Sequence, residues 1–282
     1  MFFLSIVTLF NGALEGLTAI SNGLYELCNG LVGRSWLFDS LVALAQTNQL
    51  VKASLLGGCF LAAWYGERDD AALRRKRRIL LVTLMACVVV MATTRTISTH
   101  VLLPRPLVQS QRIFHLEGNR LVESAPLPYH VPLDDGNRAK FRDVKNGNVM
   151  SDDLGAFPSD HAGLYVTLAL GILMASRSLG WLALTWTFFV LLGSRVITGL
   201  HSPLDIVAGA AIGAVILLLL QHVFAGTWGR RGMHAVVNWT LEHPAAATVL
   251  LFVVVFETAN TLQNVQPLLD VGAAVARQWT RG

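Results

Sequence analysis

His201 stands four residues ahead of Asp205, with Ser202-Pro203 between them. Ser202 and Pro203 read as the N-cap and first residue of a helix, which puts Asp205 one turn in, where a carboxylate suits the positive helix end. Capping accounts for Asp205 but not for His201, whose ring lies within reach of that carboxylate across the first turn. A carboxylate on one imidazole nitrogen fixes the tautomer and leaves the other nitrogen free to attack; a hydrogen-bonded interfacial histidine is the alternative. Upstream, Pro158-Ser159-Asp160-His161 opens another apolar run. A helix starting there offers backbone N–H groups to an anion, and His161 in its first turn is placed to protonate a leaving oxygen. Arg105, between Pro104 and Pro106, and Arg195, after Ser194, add two guanidiniums, the group best matched to phosphoryl oxygens. Snorkelling at a membrane edge would also account for Arg105. Together these residues make a phosphoryl-transfer site without a metal cage. No cysteine neighbours the histidines, which argues against a soft-metal site, and no GxxxxGK[ST] or GxGxxG loop supports nucleotide use. Neither a metal nor a cofactor is expected. His100, His115, His130, His222, His234 and His243 have no partner at dyad or metal-ligand spacing.

The elements that position these clusters are membrane helices. Of the 282 residues, 53% are apolar and only 14% charged, against about 25% charge in a soluble domain. Apolar segments fall at residues 49–66, 79–101, 160–176, 180–197, 204–224 and 245–262, which predicts an all-α polytopic helix bundle with about six crossings. The basic run Arg74, Arg75, Lys76, Arg77, Arg78 belongs in the cytoplasm by the positive-inside rule, and Arg177, Arg230 and Arg231 follow by parity. The net charge of +4 is loop charge of this kind, not a nucleic-acid footprint. Parity brings all three chemical clusters to the outer ends of crossings, at one membrane depth.

Residues 104–158 then form a long outer loop, with turn-like Asp134-Asp135-Gly136-Asn137 and Asn146-Gly147-Asn148. Residues 1–48 make an N-terminal segment. Within it, apolar or small residues recur at Phe3, Val7, Phe10, Leu14, Leu17, Leu24, Cys28 and Leu31, one helical face. An amphipathic helix in the outer interface, or packed on another subunit of a homo-oligomer, is expected rather than a seventh crossing. No Lys or Arg precedes Arg34, so no secretory signal is expected. Three cysteines, Cys28, Cys59 and Cys87, do not make a disulfide framework. Residues 49–224 would be the catalytic core, and 225–282 a cytoplasmic loop and last crossing.

With these residues in view, the chain resembles the type 2 phosphatidic acid phosphatase superfamily, whose signatures are KxxxxxxRP, PSGH and SRxxxxxHxxxD. Ser194, Arg195, His201 and Asp205 match the third in full. Pro158, Ser159 and His161 match the second, with Asp160 where the family commonly has glycine, a variant similar to bacterial undecaprenyl-pyrophosphate phosphatases. Arg105-Pro106 matches the end of the first, but Ser98 stands at the lysine position, and Arg95, one turn earlier, would supply that charge. The resemblance covers residues 49–224. It implies a six-helix core, His201 as nucleophile forming a phosphohistidine, Asp205 orienting it, and His161 as acid to the leaving group. Arg105, Arg195, Ser194, Ser159, Asp160 and Arg95 would surround the phosphate.

The expectation is a metal-independent lipid phosphatase of the bacterial inner membrane, facing outward. A polyprenyl pyrophosphate is the first substrate and another lipid phosphate the second, its tail staying in the bilayer. A phosphotransferase passing the phosphoryl group to an alcohol or sugar is one alternative. A catalytically weak binding or scaffolding member is the other.

Overall fold

The computed structural model describes residues 2–101, 103–111, 114–117, 120–123 and 126–259. The end of the sixth apolar segment, at 260–262, and the rest of the C-terminal region lie outside the described residues. The chain is an all-α membrane protein. Its helices are α1 Phe2–Asn29, α2 Trp36–Thr47, α3 Gln49–Tyr65, α4 Asp70–His100, α5 Pro106–Gln109, α6 Asp135–Lys145, α7 Ser151–Leu154 and α8 Asp160–Ala175. After them come α9 Arg177–Trp186, running through a π-helical turn Thr187–Leu192 into α10 Gly193–Ile197, then α11 Pro203–Ala225, α12 Thr227–Glu242 and α13 Pro244–Ala259.

Each of the six apolar segments carries a helix over its described residues, but length separates them. A bilayer needs about 20 residues at 1.5 Å each. α4 with 31 residues, Arg177–Ile197 with 21 and α11 with 23 meet that length. Gly229–Glu242 and Pro244–Thr258 qualify only as a pair, bent by 113° at Pro244, which has no N–H to continue the first helix. The helices over the other two segments, α3 with 17 residues and α8 with 16, stop short. Among the described residues, three helices, or four spans with the bent pair, are thus long and apolar enough to cross a membrane by themselves, and α3 and α8 fall short of that length by a few residues.

Two compact units divide the chain. Met1–Asn48, Ala92–Gly163 and Trp186–Ile212 make the first; Gln49–Met91, Leu164–Thr185 and Gly213–Gly282 make the second. In the second, α3 packs on α13, and Val82, Met233 and Val237 form a buried cluster. Not every charge of the basic run faces water. Arg77 is buried, its Nη1 donating to Thr240 O at 3.2 Å and Thr240 Oγ1 at 3.1 Å, with its guanidinium 4.9 Å over Trp64.

The first unit contains every chemical residue singled out above. Its outer loop is ordered in pieces. α5 carries Leu107 and Val108 into a small core with Val144, Tyr129, Phe141 and Leu154. A hairpin follows, β1 Phe114–Glu117 antiparallel to β2 Arg120–Glu123 with Phe114 opposite Glu123, an element that periodicity did not announce. The turn expected at 134–137 is instead a helix start. Asp134 caps α6, its Oδ1 accepting from Asn137 N at 2.9 Å and its Oδ2 from Asn137 Nδ2 at 3.1 Å.

From residue 16 on, where its side chains are described, the N-terminal helix α1 turns leucines of the expected face outward. Leu17, Ile20, Leu24 and Leu27 are exposed, while Ser21, Tyr25 and Asn29, spaced by four, are buried. Asn29 Nδ2 donates to Ile197 O at 2.9 Å, and Asn29 Oδ1 accepts from His130 N at 2.7 Å. α1 thus packs its polar stripe on its own chain and leaves its leucines to an apolar surround.

Candidate active site

Local geometry begins with the π-helical turn ahead of α10. Gly193 N donates to Phe188 O, five residues back, a single-turn π insertion of the kind frequent at functional sites. Ser194 and Arg195 follow it, both buried. Ser194 Oγ donates to Leu191 O at 3.0 Å, so its proton serves the helix. The chain then reverses at Gly199, φ +70°, which L-residues with a Cβ rarely adopt. A Cβ there would also meet Tyr129 Cε2 at 2.9 Å and Tyr25 Oη at 3.1 Å. Leu107 N donates to Gly199 O at 2.9 Å, and Ser21 Oγ accepts from Leu204 N at 3.1 Å. The turn bearing His201 is therefore clasped by α1, α5 and the outer loop. Ser21, Tyr25 and Asn29 carried no signal of this role in the sequence, because the hydrogen-bond partners of Ser21 and Asn29 lie 101 to 183 residues away.

Asp205 caps α11 and lies near His201. Asp205 Oδ2 accepts from Ser202 N at 2.7 Å and Asp205 N donates to Ser202 Oγ at 3.2 Å, a reciprocal cap. The same Oδ2 lies 3.9 Å from His201 Nδ1. That nitrogen donates instead to Ala156 O at 3.1 Å, so a main-chain carbonyl is its nearest partner and Asp205 stands behind. With Nδ1–H on that carbonyl, Nε2 is the unprotonated nitrogen of the neutral ring.

α8 starts against α11. Ser159 N donates to Asp205 O at 3.0 Å, and an added Cβ at Gly209 would fall 2.1 Å from Ser159 O, so only glycine permits this approach. Ser159 Oγ accepts from Ala162 N at 3.3 Å, and Asp160 Oδ1 accepts from His161 N at 2.7 Å. The main-chain donors of Ser159, His161 and Ala162 are thus engaged within the protein, and an anion here would rely on the side-chain cations. His161 faces His201, with ring centroids 6.5 Å apart. Its Nδ1 lies 2.6 Å from Asp160 Oδ1, and Arg95 Nε is 3.7 Å from Asp160 Oδ2. Arg95, expected to replace the absent lysine, is therefore set against Asp160.

Arg105 N–H donates to Asp153 O at 2.9 Å, and its Nη1 is 3.3 Å from Asp153 Oδ1, which Lys140 Nζ also meets at 3.0 Å. Asp153 and Lys140, from the outer loop, were not foreseen; one buried carboxylate gathers both cations. Arg105 Nε is buried without a hydrogen-bond partner among the described residues. His201 lies in the turn between α10 and α11, where burial above all, then the Arg195 and Arg105 guanidiniums, push its pKa well below the ordinary imidazole value. The shift favours the neutral form, the form of an imidazole that is able to attack. Ligand atoms of Asp160, His161 and His201 lie within 4.8 Å of one another, the group best composed to hold a metal ion among the described residues.

Fold and site are those of an all-α membrane protein with two histidines and two arginines brought together in its first unit. The profile of the PAP2 superfamily matches residues 54–219, and the chain belongs to that superfamily. It is similar to the Bacitracin transport permease protein BcrC of Bacillus licheniformis, 38% identical over 65 residues, which is 23% of this chain and 32% of that protein. The match thus spans about a third of that relative's length. No solved structure matches the chain.

Proposed function

We propose that the protein hydrolyses a lipid phosphate, with a polyprenyl pyrophosphate as first substrate, on the outer face of a bacterial inner membrane. His201 Nε2 attacks phosphorus as the bond to the leaving oxygen breaks, and His161 gives that oxygen a proton. Water then attacks the phosphohistidine, His161 takes its proton, and inorganic phosphate leaves with His201 restored. Arg105 and Arg195 hold the equatorial oxygens, and no step draws on a metal. The observation that carries the reading is the pair of facing histidines, 6.5 Å between ring centroids. The pyrophosphate preference rests on Asp160 in the second signature.

The test is phosphate release by purified protein from a panel: polyprenyl pyrophosphate, polyprenyl monophosphate, phosphatidic acid and a lipid A phosphate. Release is expected in excess EDTA and is blocked by vanadate, whose trigonal-bipyramidal adduct with His201 imitates the in-line transition state. Activity lost in EDTA and restored by one equivalent of divalent metal would place Asp160, His161 and His201 around an ion instead. Transfer of label to an added alcohol, without free phosphate, would mark a phosphotransferase.

Orientation is tested separately. With Cys28, Cys59 and Cys87 removed, Asn119→Cys should react with an impermeant thiol reagent in intact cells and Ala72→Cys should not, because basic short loops resist translocation. The opposite labelling sinks the outward-facing site.

A further inference from the structure

Asp160 was expected beside the phosphate, yet a carboxylate there repels a phosphate dianion. Its contacts point elsewhere. Oδ1 accepts twice from His161, from the main-chain N at 2.7 Å and from Nδ1 at 2.6 Å. Oδ2 faces the Arg95 guanidinium on α4, Nε at 3.7 Å. His161 cannot turn its ring without giving up the Nδ1 bond, and the ring so held has its centroid 6.5 Å from that of His201. The tighter of the two Asp–His contacts in the site therefore belongs to the acid, since Asp205 is 3.9 Å from the nucleophile.

We propose that Asp160 is a positioning residue for His161: anchored by Arg95, its carboxylate fixes the Nδ1–H tautomer and stabilises the imidazolium that delivers the proton from Nε2. The proposal rests on the hydrolytic reading above. As the bond from phosphorus to the leaving oxygen breaks and the bond to His201 Nε2 forms, the Nε2 proton passes to that oxygen. His161 becomes neutral with Nδ1–H still on Asp160, and the carboxylate keeps its charge throughout. Arg95 balances that charge, so Asp160 need not be protonated when the anionic head group arrives. A helix-start carboxylate also stabilises α8 through its dipole, and the test must separate that structural role from proton delivery.

Leaving-group dependence does so. General acid catalysis contributes roughly 10²–10⁴-fold when the leaving oxygen is a poor one and little when it is already stable. Asp160→Asn, with the same shape and no charge, should lower kcat on a lipid monophosphate by about 10–100-fold and on nitrophenyl phosphate by less than about threefold, in the pattern of His161→Ala. Asp160→Ser keeps an oxygen at the helix start and should behave as Asp160→Asn does. Equal losses on both substrates for either variant would reduce Asp160 to a structural carboxylate, and unchanged activity on the lipid would remove it from the mechanism. If Asp160→Asn fails while His161→Ala keeps its split, this proposal alone falls. Should the wild-type protein release no phosphate from any lipid, the hydrolytic reading falls with it.

Discussion

Replacing His201 with alanine should lower phosphate release from a lipid substrate by about four orders of magnitude or more, since a lost nucleophile leaves only binding and electrostatics. Nitrophenyl phosphate gives no escape, because attack on phosphorus is needed whatever group departs. The pH profile adds a second signature. An isolated imidazole titrates near 6.5. In the folded protein, burial first, then Arg195 and Arg105, and more weakly His161, lower the pKa of His201, while Asp160 opposes them. Attack requires the neutral ring, so a lowered pKa keeps the nucleophile active at lower pH and the acid limb of kcat/KM falls below about 6.5. This reverses the sign that an adjacent Asp205 suggests; Asp205 Oδ2 lies 3.9 Å from His201 Nδ1, farther than the Ala156 carbonyl, and burial and two guanidiniums dominate. Bound phosphate brings negative charge to the same ring, so the limb of kcat should lie above that of kcat/KM. Near-normal turnover by His201→Ala, or an acid limb of kcat/KM well above 6.5, overturns the assignment.

What sequence could show of this site was chemistry carried by short spacings. Ser194, Arg195, His201 and Asp205 lie within 12 residues, and their caps and turns are local events, so the spacing already implied their meeting. Contacts that depend on distant partners were illegible. Asp153 gathering Arg105 and Lys140, Ala156 receiving His201 Nδ1, and Asn29 bonding Ile197 all join segments whose types alone suggest no pairing. The N-terminal helix illustrates a different limit. Its apolar period was visible, but the polar residues that bind it to the rest of the chain were not. Leu17, Leu24 and Leu31 are exposed, while the protein contact is made by Ser21, Tyr25 and Asn29.

Arg105→Ala should cost about 10²–10³-fold in kcat, the range seen when one preorganised donor to a developing oxyanion is removed. Two observations set this apart from the snorkelling arginine that a membrane edge would explain. Its Nη1 is tied to a buried carboxylate, Asp153, rather than reaching for water, and its Nε is buried without a partner among the described residues. An unpaired buried guanidinium N–H is costly, and a phosphoryl oxygen is the acceptor that would relieve it. Arg105→Lys keeps the charge but not the planar fork held by Asp153, so it should recover only part of the loss. A second readout follows from the electrostatics of the nucleophile. Arg105 is one of the cations that depress the pKa of His201; without it that pKa rises toward the ordinary value, and the acid limb of kcat/KM should move to higher pH in Arg105→Ala. Arg105→Lys, with its charge intact, should leave the limb near its wild-type position. An alanine variant with wild-type rate and an unmoved limb would return Arg105 to the membrane edge and leave Arg195 to hold the phosphate.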